Sequence, residues 1–130
     1  MRGLGTIFAF IAGAAGGFAL WLFSVPLTGR REPWDGEIAW YLIALFVIGF
    51  AVALIARGRM AAVYWGAFAG QVVFGLVPFV ACFAFAARCS DQANLFPLGL
   101  VVLLVTTLPA LVGALLGRQA AAMLRSKGNR

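Results

Sequence analysis

Few residues in this chain of 130 have side chains suited to chemistry, and the usual metal ligands are scarce. The sequence contains no histidine and only two cysteines, Cys82 and Cys89. Tetrahedral zinc, imidazole-ligated haem and iron–sulfur sites therefore lack ligands. On a continuous helix the two cysteines would lie about 10 Å apart along the axis, which is too far for a disulfide bond. We expect no bound metal and no cofactor.

The four acidic residues all lie in polar segments between apolar stretches. They are Glu32, Asp35, Glu37 and Asp91. Acid–base or nucleophilic catalysis needs titratable groups gathered in a cleft, and proton-coupled transport needs an ionisable group within the membrane. Because no apolar stretch contains such a group, we expect these acids to cap helices and pair with loop bases. We predict that the protein is not an enzyme.

Gln71 is the one strongly polar side chain deep inside an apolar stretch. On a helix, the residues that share its face are Tyr64, Gly75, Pro78 and Cys82. An amide in hydrocarbon usually forms a hydrogen bond with a neighbouring helix, and Thr106 or Thr107 is the candidate partner. Two hypotheses follow: a buried contact between helices, or an uncharged pathway formed by the Gln71 and Pro78 stripe with Thr106 and Thr107. Separately, the backbone carbonyls that Pro78 and Pro109 leave free are candidates for an ion or substrate site, as in transporters.

Composition indicates the elements that position these residues. Hydrophobic residues make up 64% of the chain, charged residues 11%, and the mean hydropathy is +1.01. A soluble domain is usually about a quarter charged, so most of this surface must face lipid. The predicted membrane spans are 4–25, 38–56, 60–87 and 95–117, followed by a basic tail, 118–130. The predicted fold is all-α, a polytopic membrane protein with an antiparallel up-down bundle of four transmembrane helices.

Individual residues refine these spans. Pro26 is expected to end the first span and Pro78 to kink the third, which is longer than a bilayer requires. The short connection 57–59 predicts that the second and third helices are antiparallel neighbours.

The distribution of charge predicts the orientation. Four spans place both termini on one side, together with the basic residues Arg2, Arg57, Arg59, Arg118, Arg125, Lys127 and Arg130. The other side has all four acids and only Arg30, Arg31 and Arg88. By the positive-inside rule, both termini are cytoplasmic. Aromatic residues are expected at the headgroups, with Trp21, Trp34, Trp40, Tyr41 and Phe96 at the outer boundary and Tyr64 and Trp65 at the inner one.

The formal charge of +6 also bears on partners. The basic residues do not form one patch interleaved with aromatic residues, so we expect no nucleic-acid binding. Their positions allow contact with anionic lipid through Arg118, Arg125, Lys127 and Arg130.

Small residues spaced by four are the clearest packing signal. The pairs are Gly13 and Gly17, Gly49 and Ala53, Gly66 and Gly70, and Gly113 and Gly117. Small residues one turn apart let helix backbones approach closely in lipid. The sequence thus predicts a non-enzymatic membrane protein that acts through helix packing, as a homo-oligomer or as an accessory subunit of a membrane complex. The alternative is a small channel or transporter for a neutral or anionic solute.

Two short motifs carry a resemblance. Glu32-Pro33-Trp34-Asp35 precedes the second span, and Phe96-Pro97-Leu98-Gly99 opens the fourth. The layout and these motifs resemble uncharacterised small four-helix inner-membrane proteins of bacteria. The resemblance implies this architecture and a location in the bacterial inner membrane, and it implies no activity.

Overall fold

A computed structural model describes residues 2–29, 38–56, 59–85 and 96–128. Within these ranges the chain is helical and contains no strand. The helices are α1 (Arg2–Leu22), α2 (Ser24–Thr28), α3 (Ile38–Ile55), α4 (Met60–Phe85), α5 (Phe96–Thr106) and α6 (Leu108–Gly128).

Four helical segments are long and apolar enough to cross a membrane. They are Gly3–Leu22, Ile38–Ile55, Met60–Val77 and Leu98–Gly128, the last of which combines α5 and α6. The predicted all-helical class with four candidate spans is therefore confirmed.

The first span does not end where proline was expected to end it. After a break at Phe23 the chain continues as α2, which contains Pro26. Proline is tolerated in the first turn of a helix because an N–H group there has no partner to lose. Helix α2 ends at Thr28 and is capped by Gly29, whose left-handed backbone (φ 71°) lets its N–H donate to the Val25 carbonyl over 2.8 Å.

The fourth span differs from the single predicted helix 95–117. It is interrupted at Thr107, and α6 then extends to Gly128, so most of the predicted basic tail is helical. Pro109 explains the interruption, because it has no N–H to donate to the Val105 carbonyl. The N–H of Ala110 donates instead to the carbonyl of Thr107, only three residues back (2.9 Å).

The third span, α4, continues helically through Pro78 to Phe85. The side chains of Pro78 and Cys82 lie outside the described residues, as do the whole of Cys89 and all four acids.

Glycine brings α1 and α4 into backbone contact. A methyl group on Gly13 would lie 2.6 Å from the Val63 carbonyl oxygen, and one on Gly17 would overlap the Ala67 carbonyl. The contact is reciprocal, because a methyl group on Gly70 would overlap the carbonyl of Ala14. Gly66 meets the backbone of Phe10 in the same way. The contacts advance in the same direction along both helices, so α1 and α4 are parallel.

A second pair, α3 and α6, repeats this construction. Methyl groups on Gly49, Gly113 and Gly117 would overlap the carbonyls of Ala110, Phe46 and Phe50, respectively. These helices are also parallel. Ala53 lies at the end of this contact, 8% exposed, in an apolar cluster with Ala114.

The two glycine-packed pairs then pack against each other. Ile48 of α3 fills the space above Gly16 of α1, and Tyr41 of α3 reaches Gln71 of α4. The second and third spans, α3 and α4, therefore touch, as their short connection predicted. The closest backbone approaches, however, join the first span to the third (α1 with α4) and the second span to the fourth (α3 with α6). The physical reason is that such an approach requires glycine at the contact, whichever helices the connections join.

We expect Gly70→Ala to destabilise the protein by about 1–3 kcal/mol, because the added methyl group would push α1 away from α4. The matched control is Gly75→Ala on the same helix, where no described atom lies within 4 Å of the added carbon. Reversible unfolding in mixed micelles, followed by circular dichroism, measures both. Equal stability of the two variants would contradict the assigned contact.

Candidate functional site

Gln71 lies inside the bundle with no solvent exposure. It follows Gly70 on α4, and the close approach of α1 at that glycine brings side chains of both helices around the amide. Five residues form what we call the Gln71 cluster: Trp21 from α1, Tyr41 from α3, Gln71 from α4, Thr106 from α5 and Thr107 from the break before α6. Each of the four spans contributes at least one member.

The Gln71 side-chain oxygen accepts two hydrogen bonds. One comes from the Trp21 indole N–H over 3.2 Å, and the other comes from the Tyr41 hydroxyl. An indole can only donate, so the amide oxygen must face Trp21. This contact fixes the orientation of the amide.

The amide nitrogen of Gln71 donates the remaining two bonds. It donates to the Thr107 hydroxyl over 3.0 Å and to the backbone carbonyl of Ala67 over 3.2 Å. A carbonyl can only accept, so this side of the amide agrees with the orientation fixed by Trp21. All four hydrogen-bonding positions of the side chain are occupied.

The two threonines are held by hydrogen bonds to the preceding turn of α5. The Thr107 hydroxyl donates to the Leu103 carbonyl over 2.6 Å, so it is free to accept from Gln71. The Thr106 hydroxyl donates to the Val102 carbonyl over 2.9 Å and lies 3.4 Å from the Tyr41 hydroxyl. Bonding to the preceding turn fixes the rotamers of both threonines, which prearranges them for the cluster.

Tyr64 shares a helix face with Gln71 but belongs to a separate contact. Its hydroxyl donates to the Leu104 backbone carbonyl over 2.8 Å, and its ring is 9% exposed. The predicted stripe on α4 therefore faces the fourth span at two levels, through Tyr64 and through Gln71. Its members Pro78 and Cys82 have side chains outside the described residues, and a methyl group added to Gly75 would have no described atom within 4 Å.

Trp21 and Tyr41 were expected at the outer membrane boundary with their rings at the headgroups, but both side chains are buried inside the bundle. Trp21 is 8% exposed and Tyr41 is fully buried, because their polar tips turn inward to the amide. Sequence reasoning missed their role in the Gln71 cluster. The available signal was the number of bonds that a buried amide must form. One threonine on the fourth span can satisfy only part of them, so further polar side chains had to reach Gln71 from the other spans.

Two other aromatic residues have different surroundings. The indole nitrogen of Trp40 is buried and has no hydrogen-bond partner among the described residues. Trp65, on the outside of α4, is 50% exposed and is available to headgroups. Trp34 and the side chain of Phe96 lie outside the described residues.

The arrangement is suited to holding helices together. Its polar groups are neutral and mutually hydrogen-bonded, and Tyr41, Gln71 and Thr107 are buried among apolar side chains such as Leu45 and Leu103. Among the described residues, no group of three or more histidine, cysteine or acidic side chains is placed to hold a metal. The polar groups of the five residues thus bond the helices to one another, and all four hydrogen-bonding positions of the Gln71 amide are used within the protein.

Comparison with known proteins finds no matching family, no matching curated protein and no matching solved structure. Function is therefore inferred from the fold and from the Gln71 cluster.

A double-mutant cycle of Gln71→Leu and Tyr41→Phe tests the bond between these residues. We expect each single substitution to destabilise the bundle, because it leaves a buried polar partner unsatisfied, by about 1–3 kcal/mol for Gln71→Leu. The expected coupling energy is about 0.6 kcal/mol, the average for such bonds in membranes, and at most about 1.7 kcal/mol. Unfolding in mixed micelles supplies the four free energies. Strict additivity would contradict the contact.

Proposed function

We propose that this chain is a non-enzymatic integral membrane protein that acts through helix packing, as an accessory subunit of a membrane complex or as a homo-oligomer. The observation that carries the proposal is the enclosed Gln71 cluster, which uses the one strongly polar group of the spans to join all four helices. A protein built in this way presents a preformed helical surface to its neighbours in the bilayer.

The character of the outer surface supports insertion in a membrane. Large apolar side chains on α1, α2 and α3 remain exposed, among them Leu4 (76%), Leu27 (71%) and Ile55 (73%). Exposed apolar side chains in such number are stable in hydrocarbon and unfavourable in water. We place the protein in the bacterial inner membrane.

The contacts between the helix pairs support an up-down arrangement. Tyr41 at the start of α3 meets Gln71 within α4, whereas Ala53 near the end of α3 clusters with Val63 near the start of α4. Helices α3 and α4 are therefore antiparallel. Combined with the parallel pairs, this favours alternating crossings, and the charge distribution favours cytoplasmic termini.

The glycine faces serve the chain itself. The seven glycines singled out for packing lie against backbone atoms of another helix in the same chain. Association with a second copy or a different subunit must therefore use other surfaces, and the glycine pairs are no argument for one oligomeric form over the other.

The alternative, a channel or transporter for a neutral or anionic solute, has less support from the geometry. A pathway along Gln71 would need the amide to exchange its four bonds for bonds to a solute, and the residue has no exposed surface. The packed amide favours a contact between helices over a pathway.

Cysteine labelling tests the proposed orientation. Cys82 and Cys89 are first replaced by serine, and single cysteines are then introduced as Arg31→Cys and Lys127→Cys. In intact cells a membrane-impermeant maleimide should label the first variant and leave the second unlabelled until the cells are permeabilised. Labelling of Lys127→Cys in intact cells would reverse the assignment.

Native mass spectrometry after purification in a gentle detergent tests the proposed role. We expect a defined oligomer or a stoichiometric complex with another membrane protein, because packing is the proposed activity. A lone monomer without partner, under conditions that preserve the fold by circular dichroism, would contradict the proposal. Solute flux into liposomes that Gln71→Leu abolishes would favour the channel or transporter instead.

A further inference from the structure

A cleft at the far end of the bundle from the Gln71 cluster combines an apolar wall with two arginines. Its volume is about 310 Å³. It lies between the end of α3, the start of α4 and the second half of α6. The wall includes Ala53, Ala56, Val63 and Ala121, and the arginines are Arg118 and Arg125.

The two arginines lie on one face of α6. A separation of seven residues places them about 20° apart around the helix and about 10 Å apart along it. Both side chains are exposed and line the same cleft. Lys127, which is nine residues from Arg118, lies about 180° around the helix and is not among the lining residues. The positive charge of this helix is therefore divided into a cleft side and a far side.

Buried small side chains form the floor of the cleft, since Val63 is 2% exposed and Ala53 and Ala121 are each 8% exposed. The apolar lining side chains that are open to the cleft are Met60, which is partly exposed, and Ala122, which is exposed. Methyl groups of this kind match an acyl chain, whereas guanidinium groups match a phosphate through paired N–H donors.

The charge in the cleft is not balanced by acids in the described part of the chain. None of the described residues is acidic, because Glu32, Asp35, Glu37 and Asp91 all lie outside it. Ile38, which follows Glu37 in the sequence, is about 22 Å along α3 from Ala53. The two arginines of the cleft therefore favour an anionic ligand.

We propose that the cleft binds an anionic phospholipid, with the headgroup phosphate on Arg118 and Arg125 and the start of an acyl chain against Met60 and Ala122. Basic pockets between membrane helices are typical sites for such headgroups. The binding site uses two of the four basic residues for which lipid contact was predicted, and it assigns no role to Lys127. It is independent of whether the protein forms oligomers or joins a complex.

Native mass spectrometry of the delipidated full chain, titrated with phosphatidylglycerol and with phosphatidylcholine, tests the proposal. Wild type should bind one phosphatidylglycerol preferentially. Arg118→Gln and Arg125→Gln should weaken that binding about fivefold each and about thirtyfold together, since each basic residue contributes independently. The matched control is Lys127→Gln, which removes the same charge from the other side of α6 and should leave the preference unchanged.

A second variant separates the cleft from charge alone. Ala122→Phe fills the cleft, of which Ala122 is a lining residue, without altering any charge, and it should also reduce phosphatidylglycerol binding. Circular dichroism establishes that each variant is folded. Equal losses in Lys127→Gln and Arg118→Gln would overturn the proposal in favour of general surface electrostatics. Displacement of the lipid by glycerophosphate alone at equal concentration would overturn it in favour of a soluble anion.

Discussion

The structure depends on the need to satisfy one primary amide in an apolar interior. Gln71 has two donor and two acceptor positions, and each one left empty away from water would cost free energy. The bundle meets this need with the Ala67 carbonyl of the same helix and with residues from each of the other three spans: Trp21, Tyr41, Thr107 and, through Tyr41, Thr106. The relative rotation and depth of all four helices are therefore tied to a single side chain. A bundle held only by apolar contacts in lipid would lack this constraint on register.

Close backbone packing makes the cluster possible. Gly70 lets α1 approach α4 until their backbones touch, which brings Trp21 within reach of the neighbouring Gln71. Gly49 and Gly113 do the same for α3 and α6 and bring Tyr41 and Thr106 together. Packing and hydrogen bonding are thus coupled, because a wider helix separation would break both. The seven glycines of these contacts are already covered by another helix of the same chain. A partner must therefore recognise the apolar exterior or the ends of the bundle.

The two ends of the bundle have different characters. The Gln71 cluster closes one half of the described interior with neutral, mutually satisfied groups. The opposite end leaves a cleft beside Arg118 and Arg125, where apolar methyl groups and positive charge lie side by side. This asymmetry agrees with a protein whose interior serves its own assembly and whose contacts with the surroundings lie at the membrane surface.

The sequence by itself determined the helical class, the four apolar segments and the small residues at their contacts, because hydropathy and residue size are local properties. It also identified Gln71 and a threonine on the fourth span as polar groups in need of partners. Only the tertiary structure decided which helices pair, that Trp21 and Tyr41 turn inward, and that Arg118 and Arg125 face a cleft while Lys127 does not. These features depend on the rotation of each helix about its axis. That rotation is decided jointly by distant residues, through glycine contacts and the four bonds of one amide.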